Sequence, residues 1–113
     1  MNNGLSYAVA AATYDSQSNF SSNATRTIFS SQQAGTVLDL SSIEAWDATF
    51  NDNRGDWTTV QRIEGLDGGH VDLSGLQTLL LPERTEDRVD FVTGVGGTVE
   101  LSSLTTISGS GQA

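Results

Sequence analysis

Apolar and polar positions in this chain alternate with period two, in short bursts. Val71-Asp72-Leu73 and Val99-Glu100-Leu101 are examples, and no window sustains the i, i+3, i+4, i+7 spacing of an amphipathic helix. The bursts belong to a repeat. The chain runs Gly35-Thr36-Val37-Leu38-Asp39-Leu40-Ser41-Ser42-Ile43, then Gly69-His70-Val71-Asp72-Leu73-Ser74-Gly75-Leu76, then Gly97-Thr98-Val99-Glu100-Leu101-Ser102-Ser103-Leu104. The common pattern is Gly-x-[Val/Leu]-acid-Leu-Ser-x-[Leu/Ile], with acidic positions 33 and 28 residues apart. A looser copy stands at Gly4-Leu5-Ser6-Tyr7-Ala8-Val9. Upstream of each glycine step lies a β-branched or aromatic segment: Thr25 to Phe29, Trp57 to Ile63, and Asp87 to Val92. A third, more variable piece carries Tyr14, Trp46, Leu79-Leu80-Leu81 and Ile107.

Three strand-sized segments per unit of about 30 residues, with Gly and Ser inside the motifs where a helix would lose stability, predict an all-β fold. The expected architecture is a single-stranded parallel β-solenoid (β-helix) of about three and a half coils, near the minimum for a stable stack. It forms one domain over 1–113, with coils near 4–34, 35–68, 69–96 and 97–113. One coil cannot bury its inward residues alone; stacking supplies the floor and ceiling. Leu38, Leu40, Val71, Leu73, Val99 and Leu101 are expected to point inward, with Ile43, Leu76 and Leu104 turning each corner into the core. A single helical turn over 41–50 is the lesser reading of that segment.

Composition narrows the function. The 113 residues carry a formal charge of −9, and all five basic residues are Arg. Such a chain has little with which to displace counterions from a polyphosphate, so it is not expected to bind nucleic acid, and the same charge opposes docking on an anionic membrane. No apolar run approaches a membrane span, so no membrane insertion is expected. The absence of Cys excludes disulfides, thiolate metal sites and thiol catalysis. Met1 to Gly4 has neither the basic nor the apolar region of a secretory signal, which leaves an internal protein or a segment of a longer exported chain. Acidity concentrates in residues 35–96, within the well-formed repeats, and 27 Ser and Thr with 12 Gly suit corners and outer faces.

The motifs Gly35-Thr36-Val37-Leu38-Asp39-Leu40-Ser41 and Gly68-Gly69-His70-Val71-Asp72-Leu73-Ser74-Gly75-Leu76 resemble a repeat module of very large, acidic bacterial surface or secreted proteins of planctomycete and cyanobacterial type. The likeness follows residues 35–107 closely and 5–34 more loosely. It implies a β-solenoid at the cell surface or outside the cell, with an adhesin-like or matrix-like structural role and no reaction.

Several residues are weighed for chemistry. Stacked coils bring Asp39, Asp72 and Glu100 into one outward column about 4.8 Å from coil to coil, where like charges repel and calcium would relieve them. The plainer reading is that these side chains splay into screened water. Asp52 and Asp56, in the oxygen-rich loop 47–56, are further calcium candidates. That loop lacks the bidentate Glu of an EF-hand and reads otherwise as a solvated insertion. Arg54-Gly55-Asp56 matches the tripeptide that integrins recognise and is treated as incidental. His70, the only histidine, is aligned with Thr36 and Thr98 and reads as an ordinary outward strand position. Carboxylate pairs for polysaccharide chemistry could be drawn from Asp72, Asp90 and Glu100, with Arg62 and Arg88 as the nearby cations. Trp46, Trp57, Tyr7 and Tyr14 suit a core or capping role better than a glycan platform. No catalytic residue and no cofactor is expected. The expected function is a non-catalytic structural module that self-associates end to end through coil stacking. A calcium- or glycan-binding adhesion module is the alternative, and a polysaccharide-acting enzyme the third class.

Overall fold

The computed structural model describes residues 6–16, 25–49 and 58–111. Its elements are all strands: β1 (Ser6–Ala8), β2 (Thr13–Asp15), β3 (Thr25–Gln32), β4 (Val37–Asp39), β5 (Ala45–Asp47), β6 (Val60–Leu66), β7 (His70–Asp72), β8 (Thr78–Leu80), β9 (Arg88–Thr93), β10 (Thr98–Glu100) and β11 (Thr106–Ser108). They form three parallel sheets, ordered β1-β4-β7-β10, β2-β5-β8-β11 and β3-β6-β9. Successive strands visit the three sheets in turn, so the chain winds as a parallel β-solenoid. The three segments read from each repeat are the three strands of a pass, and the variable one, with Tyr14, Trp46, Leu79 and Ile107, is in register across the second sheet. Residues 41–44 are a turn and loop and 45–47 a strand, so no helical turn forms there.

Period two is the reason these pieces are strands: in β4, β7 and β8 the central residue is buried and its neighbours half-buried. Leu40, Ile43, Val71, Leu73 and Leu76 are almost wholly buried, Leu38 is 8 % exposed, and Val99, Leu101 and Leu104 pack against this core while partly open. The corners after β4, β7 and β10 are tight turns, in which the amides of Ile43, Leu76 and Leu104 donate to the carbonyls of Leu40, Leu73 and Leu101 at 3.0, 3.0 and 3.1 Å. Both apolar ends of the turn thereby face inward, which explains the Leu-Ser-x-Leu spacing. Aromatic rings fill the space between the second and third sheets. Tyr14 lies 5.0 Å from Phe29 and 6.1 Å from Trp46, and Trp46 meets Phe91 edge-on at 6.2 Å.

The glycine step corrects the repeat alignment. Gly35, Gly68 and Gly96 have φ of 80°, 84° and 68°, the left-handed third position of a turn closed by the amides of Thr36, Gly69 and Gly97. Thr36 therefore stands where later coils have Gly69 and Gly97. The register partners of His70 are Val37 and Thr98, so the expected equivalence of His70 with Thr36 fails by one residue. Counted from Gly35, Gly68 and Gly96 the acid stands four residues on in every copy, so no residue is inserted; the mismatch arises only when Gly35 is aligned with the second glycine, Gly69 or Gly97.

Candidate functional site

The outward column of the first sheet forms as expected. Asp39 pairs with Asp72 and Asp72 with Glu100, while Ala8 occupies the same position on β1. The aspartates do not simply splay into water. Asp39 Oδ1 accepts from the Ser41 amide at 2.9 Å and from the Ser41 hydroxyl at 2.5 Å, and Asp72 Oδ1 accepts from the Ser74 amide at 2.9 Å. Asp47 repeats the device on the second sheet, accepting from the amide and hydroxyl of Thr49 at 3.1 and 2.6 Å. The acid-x-Ser/Thr motif is thus a corner clamp, the side-chain turn that short acids favour. The Ser41 hydroxyl, followed by its amide, holds the Asp39 carboxyl below its ordinary range, against a small desolvation cost.

Glu100 is one methylene longer and does something different. Its Oε2 lies 3.3 Å from Nε2 of His70, one coil away. Strand alternation puts His70 and Asp72 on one face, and the register of β7 with β10 brings Glu100 alongside. Ligand atoms from His70, Asp72 and Glu100 all lie within 4.8 Å of one another, on half-buried side chains. Sequence reasoning paired Asp72 with Glu100 but passed over His70. The signal was present, because a residue two before an outward acid shares its face.

Of the other candidates, Asp52 and Asp56 lie outside the described residues, as do Arg54 and Trp57. Asp90 is on the third sheet, where Arg88 Nε donates to its Oδ1 at 2.9 Å, and its register partner is Arg62. Trp46 is 2 % exposed and offers no face to a sugar, Tyr14 is half-buried and tilted against Phe29 and Trp46, and Tyr7 is exposed. A groove of about 290 Å³ on the second sheet has Tyr14 and Trp46 in its lining, together with Thr13, Asp15, Ala45, Asp47, Thr78 and Leu80. Among the described residues no helix is long and apolar enough to cross a membrane.

One buried polar chain had no sequence signal. The Trp46 indole N–H donates to Ser16 Oγ at 3.0 Å, the Ser16 hydroxyl donates to Gln61 Oε1, and Gln61 Nε2 donates to the Ala48 carbonyl at 3.2 Å. It ties the second sheet to the third inside the core. No protein-family model, no curated protein and no solved structure matches this chain.

Proposed function

We propose that this chain is a non-catalytic structural stacking module, which associates end to end with a second copy of itself by continuing its own coil ladder. The observation that carries the reading is the course of burial along the inward ladders. In the first sheet Tyr7 is 57 % exposed, Leu38 8 % and Val71 0 %, with Val99 again only partly buried; in the second, Trp46 and Leu79 are buried while Ile107 is 51 % exposed. Among the described residues three large apolar side chains are left in the open: Tyr7 and Ile107 are core positions at the ends of the stack, rimmed by the outermost strands β1, β2, β10 and β11, whereas Val95 stands in the turn between β9 and β10. Strand edges of this kind accept further strands.

A second copy fits this end chemically. Placing its β1 and β2 on β10 and β11 in the existing register sets Tyr7 on Val99 and Tyr14 on Ile107, and puts Ala8 rather than a fourth carboxylate beside Glu100. Opposed like charges would weaken such a junction, and this register avoids them. An extracellular or cell-surface fibre or matrix is the setting we assign, on the strength of the motif resemblance. Light scattering after size-exclusion chromatography, with electron microscopy, tests the association. The expected result is mass rising with concentration in steps of 11.9 kDa and filaments one solenoid wide, with Ile107→Lys suppressing both. A monodisperse monomer at high concentration overturns the reading.

A further inference from the structure

We infer that His70, Asp72 and Glu100 form a site for a divalent transition-metal ion of the zinc type, which clips two adjacent coils together across β7 and β10. The inference is independent of end-to-end association. Bonds of about 2.0–2.2 Å in a tetrahedral zinc site place ligand atoms about 3.3–3.6 Å apart. His70 Nε2 and Glu100 Oε2 are already 3.3 Å apart, and all three ligand atoms fall within 4.8 Å. A small rotation of the two longer, half-exposed side chains closes the set, while the backbone is fixed by in-register pairing. The Ser74 amide fixes the Asp72 carboxylate by donating to its Oδ1 at 2.9 Å, the kind of supporting hydrogen bond that orients a metal ligand.

Charge on this sheet adds a second reason. Its four strands read Ser-Tyr-Ala, Val-Leu-Asp, His-Val-Asp and Thr-Val-Glu, so the Asp39, Asp72 and Glu100 column has no Lys or Arg on those strands to offset it. Imidazole also sets the class of ion. Calcium and magnesium take oxygen ligands, whereas one nitrogen with two carboxylates suits zinc, cobalt and nickel. Three protein ligands leave a fourth position to water or to an outside ligand, the open form of a zinc site.

Calorimetric titration of the untagged protein with zinc, repeated with calcium, tests the assignment. One zinc per chain is expected, with calcium at least about tenfold weaker, and the melting temperature is expected to rise with zinc. Since loss of even an outer partner weakens metal sites 10–100-fold, His70→Thr and Glu100→Gln should each weaken zinc by at least about tenfold. Thr already occupies the register partner of His70 at Thr98, and an unchanged far-ultraviolet circular dichroism spectrum will confirm that this variant folds. Asp39→Asn should change affinity less than about threefold. His70 is the only histidine, so its ring resonances report ligation without ambiguity. Ring signals unmoved by zinc, zinc affinity untouched by His70→Thr, or calcium bound as tightly as zinc would each overturn the assignment.

Discussion

Gly69→Ala tests how closely the coils are pressed together at the glycine step. A Cβ at Gly69 would lie 2.1 Å from the Ser31 carbonyl oxygen, 2.4 Å from its carbon and 2.7 Å from the Gln32 nitrogen, all backbone atoms of the coil below. Ordinary contact begins at 3.4 Å, so the coils must part locally by about 1.3 Å. Two coil-to-coil hydrogen bonds flank the contact, His70 amide to Thr36 carbonyl at 2.9 Å and Gln33 amide to Leu66 carbonyl at 3.1 Å. Losing both costs about 1 kcal/mol each, and the overpacking itself adds about 1–3 kcal/mol. The sum, about 3–5 kcal/mol, lowers the melting temperature by about 12–20 °C at about 4 °C per kcal/mol. Gly96→Ala is the matched control: its Cβ meets only Gly68, at ordinary contact distances of 3.6 Å from Cα and 3.8 Å from N, so the left-handed φ of 68° alone is penalised, by about 1–2 kcal/mol. Thermal melts followed by circular dichroism compare the two. Equal destabilisation by Gly69→Ala and Gly96→Ala would refute the argument that close coil approach, rather than turn conformation, demands the second glycine.

Gln61→Leu removes the acceptor of the Ser16 hydroxyl and the donor to Ala48 in the buried chain, and should cost about 1–3 kcal/mol in a denaturant melt; a neutral or stabilising outcome would show that these bonds are not sustained. Acid stability depends on the corner clamp. The folded Asp39 carboxyl titrates below its ordinary value of 3.8, so its contribution is full above that pH and drains away as pH falls through the lower folded value. Ser41→Ala removes the largest cause of that depression, and its melting temperature should fall less steeply than wild type between about pH 5 and pH 2.5. Glu86, held low chiefly by its bond from Arg84, contributes with the same sign in both proteins and cancels in the comparison. Parallel acid limbs would remove the clamp from the explanation.

The sequence by itself determined the architecture: three strand segments per unit, the inward ladder from Leu38 and Leu40 to Val99 and Leu101, and the corner residues Ile43, Leu76 and Leu104. These were legible because period-two alternation and turn chemistry act over a few neighbouring residues, and repetition displays the same local solution several times over. The outward column of Asp39, Asp72 and Glu100 followed from the same alternation. What tertiary structure alone decided was pairing across coils. Thr36 and His70 look interchangeable in a string that aligns Gly35 with Gly69, yet hydrogen-bond register sets Val37 beside His70, since only the stacked backbone shows that Gly68 is the counterpart of Gly35. Register likewise determines which acid meets His70. The link from Trp46 through Ser16 to Gln61 joins residues up to 45 positions apart, and its polar groups had no local pattern to betray them. Contacts between coils depend on how far apart successive turns lie, a distance fixed by close backbone approach at Gly69 and Gly97 and by the hydrogen-bonded ladders, and no local run of residues encodes it.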